Sequence, residues 1–271
     1  MFSSTILTLF IFGVANAAPF FDARSLNSTK WTPGHVLQPH EVIIYGEDKR
    51  MEVIHRQAYD EMITSMDVLS SKPDENDAEF FNVEHFNHTE HHHHHHHNGT
   101  ASSSVDRRDC GTSYSMTTDK TFDFIDWDVQ MSPVVTADIT SMDINVMRGY
   151  TVTNSVQVSA GLDVTWIKDK LKNTLGINYS RQWATQTTIN IKGTVSPGYS
   201  GCMITKPFKT RRTGRAFSGC PGSIKQTGTW QADSYKEGSY DGISWVSGSI
   251  MICQKKGSIP LSRCEGSGNF I

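Results

Sequence analysis

Histidine is the side chain of this sequence with the widest range of chemistry, and it occurs only in the first part of the chain. All twelve histidines lie at or before His97, and seven of them are consecutive. Neutral imidazole binds transition metals, so the run predicts weak binding of Zn²⁺, Cu²⁺ or Ni²⁺ without a fixed geometry. The alternative is a low-complexity tract without a role. The predicted ligands are His91, His92, His93, His94, His95, His96 and His97.

The absence of histidine after residue 97 bears on catalysis. Ser–His–Asp and Cys–His mechanisms need a base that works near neutral pH, which histidine normally supplies. Paired carboxylates can hydrolyse glycosides, but the acids Asp233, Glu237 and Asp241 lie in a turn-rich stretch and are interpreted as solvated. The sequence also lacks the glycine-rich phosphate-binding motifs. We therefore expect no enzymatic activity and no cofactor, with a secreted hydrolase of unusual chemistry as the less favoured alternative.

A basic run between residues 206 and 215 carries five positive charges in ten residues. We interpret it as a loop that contacts an anionic membrane surface or a polysaccharide by charge alone, without specific recognition of nucleic acid. A loop that is merely solvated is the alternative. The predicted contact residues are Lys206, Lys209, Arg211, Arg212 and Arg215.

Five cysteines predict disulfide bonds, because cysteines in an oxidising compartment mostly pair. Spacing alone does not choose among the arrangements. We expect Cys202–Cys220 and Cys253–Cys264, since each closes a short glycine-rich loop, and Cys110 is then free or joins two chains. No Cys/His spacing typical of a zinc finger occurs.

The first residues predict secretion. Met1 to Ala17 form an apolar run that ends in Ala-Asn-Ala, a pattern typical of signal-peptide cleavage after Ala17. A buried N-terminal strand is the alternative. No later apolar run approaches the length of about 18 residues that a transmembrane helix needs. We expect an extracellular protein with N-glycosylation at the four sequons, Asn27, Asn87, Asn98 and Asn178.

Charge divides the rest of the chain near residue 108. Residues 18–108 contain 8 Lys/Arg against 15 Asp/Glu, and residues 109–271 contain 17 against 13. The dibasic pair Arg107-Arg108 stands at this boundary, and such a pair in an exposed linker is a site for a secretory-pathway processing protease. Two ordinary solvated arginines are the alternative. The predicted domains are therefore a signal peptide (1–17), an acidic pro-segment or linker (18–108), and a β-rich secreted domain (109–271).

Within the acidic segment, apolar spacing predicts a short strand and then a helix. Residues 42–45 are continuously apolar, whereas apolar side chains recur every three or four residues from Glu47 to Leu69. Residues 72–106 are too polar to offset the entropy of chain ordering and are interpreted as a disordered linker.

The domain after residue 108 is dominated by the stretch from Tyr150 to Val195. Apolar residues alternate with polar ones from Val152 to Trp166 and again from Leu175 to Ile191. Period-two alternation indicates a strand with one dry face, while residues 164–175 show helical spacing. We predict two long amphipathic strands joined by a short helix or turn.

Several stretches of this domain resemble, taken together, the candidate effector-like secreted proteins of ascomycete fungi. The resemblance covers roughly residues 110–270, and its motifs are structural, so it brings no catalytic set. It implies a secreted fungal protein that acts on a host or a competitor. The stretches are Ser159–Leu171, Gly176–Trp183, Thr210–Arg215, Gly219–Gly222, Gln231–Tyr235, Ser239–Val246 and Pro260–Cys264.

The two alternating runs also look like those of aerolysin-type β-pore-forming toxins, in pattern rather than in residues. A membrane strand needs only about 9–11 alternating residues. The likeness implies an oligomer in which Val156 and Val158 face lipid, because backbone groups in a bilayer must be paired in a closed barrel. A soluble sandwich with two long strands is the alternative.

Taken together, the sequence predicts a mostly β protein. We expect an elongated antiparallel sheet or sandwich with long amphipathic strands and one short helix, stapled by disulfides, after an N-terminal segment that is partly helical and then disordered. The expected function is that of a non-enzymatic effector or toxin-like protein that binds a target outside the producing cell. The target and the oligomeric state are left open.

Overall fold

The computed structural model of the protein describes residues 27–46, 50–73, 111–146, 151–184, 190–220, 222–240, 243–257 and 259–270. The strands in chain order are β1 (Thr29–Lys30), β2 (Val36–Leu37), β3 (Glu41–Tyr45), β4 (Met51–His55), β5 (Val68–Leu69), β6 (Ser113–Ile125), β7 (Val129–Gln130), β8 (Val135–Ala137), β9 (Met142–Asn145), β10 (Thr151–Thr153), β11 (Ser155–Val158), β12 (Gln182–Ala184), β13 (Lys192–Val195), β14 (Tyr199–Cys220), β15 (Ser223–Tyr235), β16 (Glu237–Tyr240), β17 (Ile243–Val246) and β18 (Gly248–Lys256). The helices are α1 (Arg56–Ser65) and α2 (Val164–Leu175).

The long strand β14 organises an eleven-stranded sheet. Its first half pairs with β18, and its second half pairs with β15. Along the opposite edge β14 pairs with β8, then β7, then β6. All these pairings are antiparallel, so the prediction of a mostly β protein with extended antiparallel strands is confirmed. Among the described residues, no helix is long and apolar enough to cross a membrane.

Strands β1, β3 and β4 of the N-terminal part belong to this same sheet, whereas β2 pairs with β13 in a separate three-stranded sheet. Strand β3 pairs with β18, and β4 and β1 continue the sheet beyond β3. Both faces of β3 are buried: Ile43 and Tyr45 lie in one apolar core, while Val42 and Ile44 lie in a second core on the other side. Burial on both faces explains the continuous apolar run at residues 42–45. Strands from both sides of residue 108 thus form one sheet, while the predicted division into a pro-segment or linker and a secreted domain stays a prediction.

The helix predicted from Glu47 to Leu69 is shorter than its apolar periodicity suggested. Among the described residues of this range, the helix covers 56–65, because Met51 and Ile54 are buried in strand β4 instead. His55 ends that strand and caps the helix, its Nδ1 accepting a hydrogen bond from the Gln57 backbone N–H. The disordered linker predicted for residues 72–106 lies almost entirely outside the described residues.

The two long strands predicted between residues 150 and 195 are wrong. The first run breaks into β10 and β11, which pair with different partners, β12 and β15. Residues 164–175 form helix α2, capped by the Asp163 side chain at its start and by left-handed Gly176 (φ 69°) at its end. The predicted helix is thus confirmed. Trp166, which the alternating pattern had assigned to the first strand, belongs to this helix. Ile167 and Leu171 pack with Trp230 against the sheet, forming a third apolar cluster.

Gly214 lies where strand β14 packs directly against the Trp230 ring of this cluster. A Cβ atom there would overlap the carbonyl oxygen of Thr117 and come within 2.6 Å of the Trp230 ring. We expect Gly214→Ala to lower the free energy of unfolding by about 3 kcal/mol, the upper range of overpacking costs. Urea unfolding measures this loss. Gly111→Ala is the control, since nothing lies within 4 Å of its added methyl group; equal midpoints for the two variants would contradict the packing argument.

Candidate binding pocket

The basic run, interpreted as a loop that contacts an anionic surface or is merely solvated, is part of strand β14, so its assignment to a loop is wrong. Four of its side chains contact partners on neighbouring strands and loops. Lys206 pairs with Glu265, Lys209 with Asp126, and Arg211 with Asp233, all at 2.7–2.8 Å and with little exposure of the basic side chain. Arg212 donates to Ser234.

Arg215 is the exposed member of the run, and it is also paired, with Asp119 at 2.8 Å. Four of the five positive charges are therefore compensated by carboxylates within the fold, whereas Arg212 donates to a neutral hydroxyl. Contact between this run and an anionic membrane surface or polysaccharide stays a prediction.

The cysteines pair differently from the prediction at one of two bonds. Cys253–Cys264 is confirmed. Cys202–Cys220 is wrong, because Cys202 is a free, buried thiol and Cys220 is disulfide-bonded elsewhere. Cys202 lies on β14 directly opposite Cys253 of β18, and β14 carries Cys220 to its far end, 18 positions along an extended strand. A strand of that length keeps the two sulfurs apart.

Two predicted glycosylation sites lie in the described residues, and both are exposed: Asn27, and Asn178 before the strand β12. Glycosylation itself stays a prediction. The other predicted site residues fall outside the described residues. They are Asn87 and Asn98, the histidines 91–97, Ala17, Arg108 and Cys110.

Carboxylates were the alternative catalytic groups, and each buried carboxylate among the described residues forms an ion pair. Asp126, Asp128 and Asp233 are the buried acids among the described residues. Each has a basic partner: Lys209, Arg263 and Arg211. Asp233 is thus not solvated, as its turn-rich surroundings had suggested, but forms a buried bidentate pair.

The neighbouring acid Glu237 is held in the same way. It accepts hydrogen bonds from the indole of Trp183 at 2.9 Å and pairs with Arg181. Tyr235, against which Trp183 packs, hydrogen-bonds Asp126, and burial together with that carboxylate raises the pKa of Tyr235. Asp241 lies outside the described residues. These contacts give the acids a structural role.

The candidate site is an open pocket of about 650 Å³ on the N-terminal part of the sheet. It lies between the turn that precedes β3, the start of helix α1 and the loop after β13. A volume of this size is within the range of ligand pockets. Its lining is Gln38, Pro39, His40, His55, Arg56, Gln57, Asp60 and Ser196.

Local sequence explains how the two histidines meet. Pro39 and His40 form a turn closed by the bond from the Glu41 N–H to the Gln38 carbonyl. The His40 carbonyl then accepts from the Arg56 N–H, which continues the β3–β4 ladder into the helix. The imidazole rings of His40 and His55 consequently lie 5.3 Å apart, tilted by 36°.

Hydrogen bonding fixes the chemistry that each side chain offers. Because Nδ1 of His55 accepts from Gln57, its Nε2 carries the proton and is a donor. Arg56 uses Nη2 to contact the Met251 sulfur and the Ile252 carbonyl, and its other guanidinium nitrogens have no partner among the described residues. Asp60 is exposed and supplies carboxylate oxygens.

Sequence reasoning missed this pocket because it treated the histidines as part of a separable segment. His40 and His55 belong to the same folded body as the rest of the sheet, so this body contains histidine although residues 109–271 do not. The sequence did contain a local signal for the turn at Pro39-His40 and for the cap at His55. That Ser196 lines the same pocket depends on the long-range pairing of the sheet. No family model, curated protein or solved structure matches this chain.

Proposed function

We propose that this protein is a non-enzymatic extracellular binding protein whose pocket holds a segment of a polysaccharide on its target. The observation that carries the proposal is the mixture of hydrogen-bond donors and acceptors around one open pocket. Arg56 and the Nε2–H of His55 donate, while Asp60 accepts. A sugar hydroxyl both donates and accepts, so a polyhydroxylated ligand satisfies both kinds of group at once.

The shape of the pocket supports a polymer rather than a small enclosed ligand. His40, His55, Gln57 and Asp60 are all exposed, so a chain can enter and leave at either side. The pyrrolidine of Pro39 and the two imidazole rings give apolar faces among the polar groups. Binding at such a site depends on placed polar groups rather than on deep burial.

A binding role fits these groups better than a catalytic one. Ser196 is held by Gln254: its backbone N–H donates to the Gln254 side-chain oxygen, and its hydroxyl accepts from the Gln254 side-chain nitrogen. No hydrogen bond joins a serine to a histidine, or a histidine to Asp60, within the described residues, so the pocket lacks a nucleophile held by a base. The buried carboxylates are paired with cations. We therefore propose the effector-like role without turnover.

The pore-forming alternative stays a prediction, and its motive is weaker. The long strands on which it depended are not formed. Val156 and Val158 pack instead on the cluster around Trp230 and helix α2. Their apolar face is thus covered within one chain.

Binding to insoluble polysaccharides tests the proposed function. The full chain is mixed with cellulose, chitin, β-1,3-glucan and pectin, and the bound fraction is measured over a range of protein concentrations. We expect binding to at least one polymer and a loss of at least about tenfold in affinity for the double variant His40→Ala/Asp60→Ala, because a hydrogen-bond acceptor and an apolar ring face of the pocket disappear.

The matched control is Asp169→Ala, which removes an equally exposed carboxylate from helix α2, outside the pocket. Its affinity should equal that of the native chain. Failure to bind any of the four polymers, or equal affinity of the pocket variant and the native chain, would overturn the proposal.

A further inference from the structure

A second group of ligand atoms lies outside the pocket lining, beneath the C-terminal segment. An oxygen of Asp128 and the sulfurs of Cys253 and Cys264 are all within 4.8 Å of one another. The Asp128 side chain is fully buried. In the structure the two sulfurs form a disulfide, so their lone pairs are not those of thiolates.

A third sulfur adjoins this group. Cys202 is the residue directly opposite Cys253 in the β14–β18 register, and both are completely buried in the same apolar cluster. Opposed residues of antiparallel strands have Cβ atoms about 4.5–5.5 Å apart. Cys202 lies outside the 4.8 Å group, and a change of its χ1 rotamer redirects its sulfur.

Asp128 accepts hydrogen bonds of the kind that orient metal-bound carboxylates. One oxygen accepts from the backbone N–H groups of Cys264 and Glu265, at 2.8 and 2.9 Å. The other receives only a long contact of 3.4 Å from Arg263, whose guanidinium also donates to the Asp128 carbonyl. A carboxylate has about four lone-pair sites, so this second oxygen retains an open position.

We propose that, once Cys253–Cys264 is reduced, the thiolates of Cys202, Cys253 and Cys264 and the carboxylate of Asp128 bind one Zn²⁺ ion. Three sulfurs and one oxygen match the four-coordinate preference of zinc for thiolate-rich sites. The hydrogen bonds to Asp128 supply the outer contacts that orient such a ligand. The oxidised protein, with two of the three sulfurs joined, does not form the site.

The chemistry balances with a named reductant. A trialkylphosphine, with water, takes the disulfide to two thiols and becomes the phosphine oxide. Zinc binding then releases one proton from each of the three thiols.

Metal binding also has a structural consequence. The disulfide ties residues 257–270 to strand β18, together with the Lys206–Glu265 ion pair and burial of Leu261 and Phe270. Zinc would restore the covalent link that reduction removes. Because reduction occurs in reducing compartments, the site distinguishes those compartments from the extracellular space.

Co²⁺ as a spectroscopic probe and Zn²⁺ as its competitor test the site in the full chain. Thiolate-bound Co²⁺ gives charge-transfer absorption that imidazole-bound Co²⁺ lacks, so the histidine run does not interfere. We expect one equivalent of Co²⁺ to produce the band in reduced protein, Zn²⁺ to abolish it, and oxidised protein to lack it. Asp128→Asn should weaken Zn²⁺ binding by about 10–100-fold.

Matched cysteine variants identify the sulfurs. Cys202→Ser and Cys253→Ser should each reduce the band, whereas Cys220→Ser, which removes the remaining described cysteine, should leave it unchanged. An absent band in the reduced native chain, or an undiminished band in Cys253→Ser, overturns the proposal. Should reduction unfold the protein, one equivalent of Zn²⁺ must restore its far-UV circular dichroism, and failure to do so counts equally against the site.

Discussion

A chain that begins at Asp109 is expected to fail to fold into a stable monomer. It would lack β3, the strand that covers the edge of β18, together with Val42, Ile43 and Tyr45, all of which are almost completely buried. Burying one such side chain contributes about 1.5–3 kcal/mol. Since a whole domain is stable by only about 5–15 kcal/mol, the loss of these and the other N-terminal core residues exceeds the margin.

The measurement compares two preparations. In the first, residues 109–271 are expressed alone; in the second, the folded full chain is cleaved after Arg108 by a dibasic-specific protease. We expect the first to aggregate or to unfold without a cooperative transition, and the second to elute as one species at the size of the uncut protein. A chain with Arg107-Arg108 replaced by Gln-Gln is the uncut control. A cooperative, monomeric 109–271 chain would contradict this expectation.

Processing after Arg108 itself stays a prediction, but the structure changes its consequence. Cleavage would yield a two-chain protein in which the N-terminal strands remain paired, rather than release of a pro-segment. The candidate pocket depends on this, because all its lining residues except Ser196 come from the N-terminal part.

Local sequence patterns correctly predicted two elements. The run at residues 42–45 is a strand with an apolar core on each of its two faces, and helix α2 begins where Asp163 provides a cap. The helical periodicity of Met51 and Ile54 misled because a strand buried on both faces accepts apolar residues at any spacing. The alternation after Val152 misled because it does not reveal where pairing changes from β12 to β15.

Charge and cysteine patterns were the least informative, for a reason that applies to both. Whether a lysine is solvated or paired depends on a carboxylate supplied from far along the chain, as Asp126 is for Lys209. Similarly, the bond predicted between Cys202 and Cys220 followed from their proximity in sequence, whereas one extended strand separates them. Ion-pair partners and disulfide partners both depend on which residues of distant strands lie opposite each other. The composition of the chain carries no information about that register.

The second large effect is expected at Arg211, whose side chain is only 3% exposed and forms two hydrogen bonds of 2.7 and 2.8 Å with Asp233. Arg211→Met removes the cation and leaves the Asp233 carboxylate buried without its partner. Breaking a buried pair in this way costs about 3–5 kcal/mol. We expect the urea midpoint of Arg211→Met to fall accordingly.

Two controls separate the buried charge from the mere loss of an arginine. Arg215 lies four residues further along β14 and makes the same bidentate contact with Asp119, but its side chain is 49% exposed. Arg215→Met should therefore leave the midpoint nearly unchanged, because water already solvates both partners. The double variant Arg211→Met/Asp233→Leu removes both charges together and should recover most of the lost stability, since apolar replacement of a buried pair is often neutral or stabilising. If the double variant is as unstable as Arg211→Met alone, the loss arises from packing against the Phe124 ring, 5.0 Å from the guanidinium, and not from the uncompensated carboxylate.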